Sequence, residues 1–143
     1  MHRVRLFVVV SVVVLGGSAA AQGGDRPTIS IPRVTDPPEL ARYLDGTTTP
    51  PGTRVTGLVQ REPGDGVPAS LETTVYLSYD DSHLYAVFIC KDDPGKVRAN
   101  MTKREAIMGD DIVGLLQDTY HDGRRAYDYL DNPLGIQPGG VAT

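Results

Sequence analysis

Residues 110–137 read DDIVGLLQDTYHDGRRAYDYLDNPLGIQ, and this stretch has the pattern of a β-hairpin. Over residues 111–119 the side chains of Ile112, Gly114 and Leu116 fall on one face and those of Val113, Leu115 and Gln117 on the other, a nearly continuous apolar run of strand length. A strand of that kind is covered on both sides. The polar break Tyr120-His121-Asp122-Gly123-Arg124 follows, with Asp122-Gly123 the natural place for a residue of positive φ. Residues 126–132, rich in tyrosine, then run back antiparallel. Asn132-Pro133 stops the ladder, because proline has no N–H to give it.

Outward from the hairpin, the pattern of short strands and turns continues. Residues 84–90, LYAVFIC, are apolar at every position and predict a central strand packed on both faces. Residues 73–79 alternate Val75, Leu77 and Tyr79 with Thr74, Tyr76 and Ser78, which predicts a strand with one face inside and one wet or half-covered. Asp80-Asp81-Ser82 is the tight turn between them. Residues 54–60 form a further short strand before the turn formers of 62–66. In residues 97–102, Val97, Ala99 and Met101 alternate with polar neighbours and predict an outer strand, although Val97 and Met101 also match helical spacing. Residues 103–109 are a loop or one helical turn. A short N-terminal helix is signalled at Asp36, with Pro37 at its first position, Glu39 at the reach-back position of a capping box, and Leu40, Tyr43 and Leu44 on one face. Residues 28–31 could add an edge strand, and the Gly-rich residues 135–143 carry no pairing signal. The expectation is an all-β fold with that one helix.

The chain has 143 residues, a formal charge of -4 and a pI near 5.2. A phosphate backbone or an anionic membrane would be repelled, so neither is an expected partner. With 16 Gly, 11 Pro, no Trp and two Phe, the composition is turn-rich and the core thin. Cys90 is the only cysteine, which excludes an intramolecular disulfide and a cysteine-built zinc site. It reads as a small core hydrophobe, and strand parity puts His83, the nearest base, on the opposite face. Residues 1–21 have the three regions of a secretory signal peptide: Arg3 and Arg5, an apolar run over 6–15, and small residues ending at Ala19-Ala20-Ala21. The apolar run is shorter than the about 20 residues of a permanent anchor. The expected location is therefore the periplasm, the outer-membrane surface or the exterior, with cleavage after Ala21, a linker over 22–35 and one domain over 36–143.

The candidate chemistry lies in carboxylates and tyrosines. Aspartates crowd the strand ends, where turn formation alone favours them, and no pair has the spacing of a glycosidase couple in an aromatic-walled groove. A structural calcium ion would need oxygen ligands from loops brought together by the fold, and Asp80, Asp81, Asp110 and Asp111 are the candidates. His121, between Asp118 and Asp122, reads as a solvated loop histidine. No nucleophile elbow, phosphate loop or HExxH helix occurs. Sugar binding needs flat aromatic faces with polar groups around them. Tyr120, Tyr127 and Tyr129, with Arg124 and Arg125 as donors, are the candidates for it.

Several blocks in order, VTGLVQREPGDGVPAS, VYLSYDDSHLYAVFICKDDP, VRANMTKRE, DDIVGLLQDTYHDGRRAY and NPLGIQ, resemble the family 9 carbohydrate-binding-module-like domain of exported bacterial proteins. The resemblance covers residues 36–143. It implies an antiparallel, jelly-roll-like β-sandwich that continues beyond Thr143, so that the chain is an incomplete first part of the domain. It also implies a non-catalytic module that binds a polysaccharide or oligosaccharide, within a larger protein of carbohydrate catabolism. Many relatives continue into a C-terminal β-barrel region, so a hydrolase-type label would belong to parts outside these residues. The alternative is a structural accessory domain that packs on an outer-membrane barrel and takes no sugar. Two departures stand out. Family modules in xylanases hold sugar between tryptophans, of which this chain has none, and Asp131 stands where relatives usually continue the apolar strand.

Overall fold

The computed structural model describes residues 28–143 apart from positions 61 and 63. The expected leader, its cleavage point and residues 22–27 of the linker lie outside the described residues. The fold is all-β, with two antiparallel sheets of three strands each. In the first, β1 (Thr53–Val55), β2 (Thr73–Tyr79) and β3 (Leu84–Cys90) lie in the order β1-β2-β3. In the second, β4 (Val113–Gln117), β5 (Ala126–Asp131) and β6 (Gly139–Ala142) lie in the order β4-β5-β6. Among the described residues no helix is long and apolar enough to cross a membrane.

Strands β2 and β3 occupy the residues expected, in a register that sets Val75 opposite Phe88 and Tyr76 opposite Val87. Their roles are exchanged. The half-polar β2 is the central strand and is buried on both faces, whereas the wholly apolar β3 stands at the sheet edge. Small hydroxyl side chains make this possible: Thr73, Thr74 and Ser78 fit inside, although Thr73 Oγ1 and Ser78 Oγ find no partner there. On one face Val75, Phe88 and Cys90 pack with Val113 of β4, flanked by Val55, Leu58, Leu77 and Ala86. On the other, Tyr76 and Val87 pack against Tyr43. Burying such side chains stabilises the sheet by about 1.5–3 kcal/mol each, so this double-faced packing is the main source of order.

Beyond this exchange, five expectations are corrected. The strand predicted over 54–60 is paired with β2 only through Thr53–Val55. It ends because Gly57 turns to φ +74, a left-handed conformation costly for any side chain, leaving Val59 to bridge Pro68 alone. Residues 97–102 form neither strand nor helix. Two of their N–H groups are taken by side chains instead of a neighbouring ladder: Arg98 donates to Asp111 Oδ2 at 2.9 Å and Asn100 to Asp110 Oδ2 at 3.1 Å. The N-terminal helix is a single 3₁₀ turn, Leu40–Tyr43, preceded by Glu39 and uncapped by any side chain. Pro38 disfavours helical backbone at Pro37 and so delays the start, and the Glu39 carboxylate is bound to Arg42 Nε at 2.8 Å rather than reaching back. Only Tyr43 of the expected apolar face is buried.

The fourth correction concerns residues 135–143, which contain β6, paired antiparallel to β5 with Gly139 opposite Tyr129 and Val141 opposite Tyr127. A Cβ at Gly139 would stand 3.2 Å from the Asp128 carbonyl oxygen and one at Gly140 3.1 Å from Asp128 Oδ1. Glycine permits that close approach, and its lack of a side chain is why no strand pattern was visible. The expected edge strand near 28–31 is reduced to a parallel bridge between Arg33 and Tyr79, held by Val34 N–H to the Tyr79 carbonyl at 2.8 Å. The one-turn alternative for 103–109 is present as a 3₁₀ turn, Arg104–Ala106.

Candidate functional site

The hairpin places the candidate tyrosines. β4 and β5 pair with Leu115 opposite Tyr129 and Gln117 opposite Tyr127, so these four side chains share one face with Gly139 and Val141 of β6. Parity required Tyr127 and Tyr129 to be both solvent-facing or both interior. They are solvent-facing, at 39% and 56% exposure. Alternate residues of a strand are about 7 Å apart, so the two rings form a short exposed strip. The same face runs into the core at its other end, where Val113 is buried.

The loop at the hairpin tip is held by two carboxylates. Asp118 accepts the N–H groups of Tyr120 at 3.1 Å and Gly123 at 2.8 Å, with a longer contact from Asp122. Asp122 accepts those of Arg124 at 2.8 Å and Arg125 at 3.2 Å. These bonds stabilise the charged forms, so the Gly123 N–H holds Asp118, and the Arg124 N–H holds Asp122, below the usual carboxylate range. The chain reverses through positive φ at Gly123, as expected, and also at His121, φ +53. Tyr120 is 62% exposed, and the Arg125 guanidinium lies 4.9 Å above its ring centroid in a cation–π contact. Arg124 is exposed as well. The structure thus keeps all five proposed ligand-binding residues accessible on one hairpin.

The four aspartates proposed for calcium are not gathered. Asp80 closes its own turn, accepting from the N–H groups of Ser82 at 2.7 Å and His83 at 2.8 Å and from the Tyr85 hydroxyl. Led by the Tyr85 bond, these contacts lower its pKa to about 2 and raise that of Tyr85. Asp81 pairs with Arg33, and Asp111 with Arg98 at 3.2 Å. Among the described residues no three His, Cys, Asp or Glu side chains are placed to hold a metal ion. The physical reason is competition, since protein donors already occupy these oxygens. An open cleft of about 490 Å³ beside the Asp80 turn is lined by Arg33, Thr35, Asp80, Asp81 and His83, and both of its carboxylates are already engaged by protein donors.

Asp110 has a role that the sequence reading did not assign. It is buried, and its carboxylate accepts from Asn100 N–H, from Asn100 Nδ2 at 2.6 Å and from Asn132 Nδ2 at 2.9 Å. The Asn132 contact leads in holding its pKa below the ordinary value. Asn132, 3% exposed, also donates to the Asn100 carbonyl and accepts from the N–H groups of Leu134 and Ile136. An asparagine before proline at the end of a strand was the available signal, and it was read only as a stop.

No family model, no curated protein and no solved structure matches this chain.

Proposed function

We propose that this chain is a carbohydrate-binding-like module of an exported bacterial protein, non-catalytic by itself, with the two sheets forming part of a jelly-roll-like sandwich. The observation that carries the reading is the pair Tyr127 and Tyr129, side by side and open to solvent on one sheet face. Exposed tyrosine rings offer flat surfaces to the C–H faces of pyranoses, and Gln117 next to them can both donate and accept hydrogen bonds. Titration calorimetry against xylo- and cello-oligosaccharides tests the proposal. Tyr127→Ala or Tyr129→Ala should weaken binding several-fold, about 1 kcal/mol, without lowering the melting temperature. An absence of heat at millimolar sugar would count against it.

A second reading, a structural domain packing on a β-barrel of the outer membrane, is favoured by one feature. Leu115, Tyr129 and Val141 continue the face whose other end, Val113, is already core. On this reading the tyrosine substitutions abolish barrel association and leave sugars irrelevant. Both readings need export, which intact-mass analysis of a secreted product beginning at Gln22 would test.

A further inference from the structure

The groups around the tyrosine strip bear on which glycan it takes. The strip's cross-strand neighbours, Leu115, Gln117, Gly139 and Val141, carry no charge. Arg125 lies one residue before that strand and two before Tyr127, so it borders the strip, and Arg124 lies in the loop beside it. At the hairpin tip the acceptors are turned inward, because Asp118 and Asp122 are bound to backbone N–H groups of the loop itself. The donors are left outside. Arg124 is exposed and has no acidic partner among the described residues. Arg125 rests on Tyr120, and its contact with Asp122 is long, 3.5 Å, with more than half of its side chain in water.

A neutral sugar presents hydroxyls that ask for donors and acceptors alike. This tip offers chiefly donors, in the planar fork that matches a carboxylate bidentately. We infer that the ligand is an acidic oligosaccharide, a glycan whose uronate carboxylates meet Arg124 and Arg125 while its rings lie on Tyr127 and Tyr129. The inference rests on the sugar-binding reading and adds the ligand class. Because the whole chain is acidic, its long-range field repels a polyanion. Recognition is therefore short-range, through two ion pairs, and depends only modestly on salt.

The test is calorimetry of the full chain with a uronate trisaccharide, with the methyl ester of the same trisaccharide, and with neutral xylotriose. Acid and ester share their rings and differ in charge. The acid should bind on the order of tenfold more tightly than the ester. Arg124→Gln combined with Arg125→Gln should erase that difference, whereas Tyr127→Ala should weaken acid and ester alike. Equal binding of acid, ester and xylotriose would overturn the acidic ligand class and leave the sugar-binding reading standing; no binding of any of them would remove both. Acid affinity that survives the paired arginine substitution, or that ignores the tyrosines and vanishes at moderate salt, would also overturn the inference.

Discussion

Asn132 and Asp131 are neighbours in sequence with opposite fates. The Asn132 side chain uses its amide donors on Asp110 and the Asn100 carbonyl and its oxygen on two N–H groups, so it is satisfied where it is buried. Asn132→Ala would leave those partners unpaired, and the expected loss is about 2–3 kcal/mol, read as a lower urea midpoint. A variant with an unchanged midpoint would show that the network contributes nothing net. Asp131 has Oδ1 buried without a hydrogen-bond partner, and burial raises its pKa against the opposing contacts from Gln137 Nε2, at 3.4 Å, and from the Asn132 N–H. A folded pKa above the unfolded one favours the protonated form, so its stabilising contribution is complete at low pH and lost as pH rises through the folded value. At neutral pH its charge opposes folding. Asp131→Asn should therefore raise the melting temperature at pH 7 and lose that advantage near about pH 3, where the wild-type carboxyl is itself neutral; equal effects at both pH values would contradict this.

At the scale of the elements, strand β3 is the exposed liability. The bonds that bracket its pairing, Asp80 N–H to the His83 carbonyl and Lys91 N–H to the Glu72 carbonyl, put its odd-numbered residues on the bonded side. The backbone groups of Leu84, Ala86 and Phe88 point off the sheet. The strand has no proline, glycine or charge to discourage another strand from adding there. Leu84, 43% exposed, is a place to install a guard. Leu84→Lys should reduce concentration-dependent association in sedimentation velocity at unchanged secondary structure, and undiminished association would place the sticky surface elsewhere. The residues of β2, β3, β4 and β5 were legible because β-branched and aromatic side chains alternate there with few interruptions. Which strand lies in the middle was not, since Thr and Ser count as polar in a pattern yet are small enough to bury. β6 was hidden by glycine, and 97–102 was misread because side-chain carboxylates, which no periodicity reports, satisfy its backbone. Of the candidate site, the accessibility of the tyrosines followed from parity up to a choice of two faces, and only the packing of the sheet made that choice.

For the molecule as a whole, acid is the condition that should matter. Asp80, Asp110, Asp118, Asp122, Asp45 and Glu72 all have carboxyls held below their ordinary range, led by bonds from Tyr85, Asn132, Gly123, Arg124, Thr47 and Lys91 respectively. A depressed folded pKa contributes stability that is present above the unfolded value and is lost as pH falls through the folded one. Among the described residues, Asp131 is the shifted carboxyl that acts in the other sense. The melting temperature should therefore fall as pH drops from about 4, the unfolded carboxylate value, toward 2. Tyr85→Phe removes the leading cause at Asp80 and should flatten part of that slope. A melting temperature constant across this range, followed by circular dichroism, would contradict the account.

The carboxylate of Asp110 also gives the chain a seam of a different kind from its sheets. Asn100 N–H is held by a side-chain oxygen that can take up a proton, whereas the amides of the β2–β3 ladder are held by carbonyls that cannot. Acid below the ordinary carboxylate range, where Asp110 is held, should thus unzip residues 97–102 from the hairpin while both sheets persist. In hydrogen exchange at a common low pH, the Asn100 amide would lose its protection well before Tyr76 or Val87, and simultaneous loss would mean that the seam and the sheets melt as one.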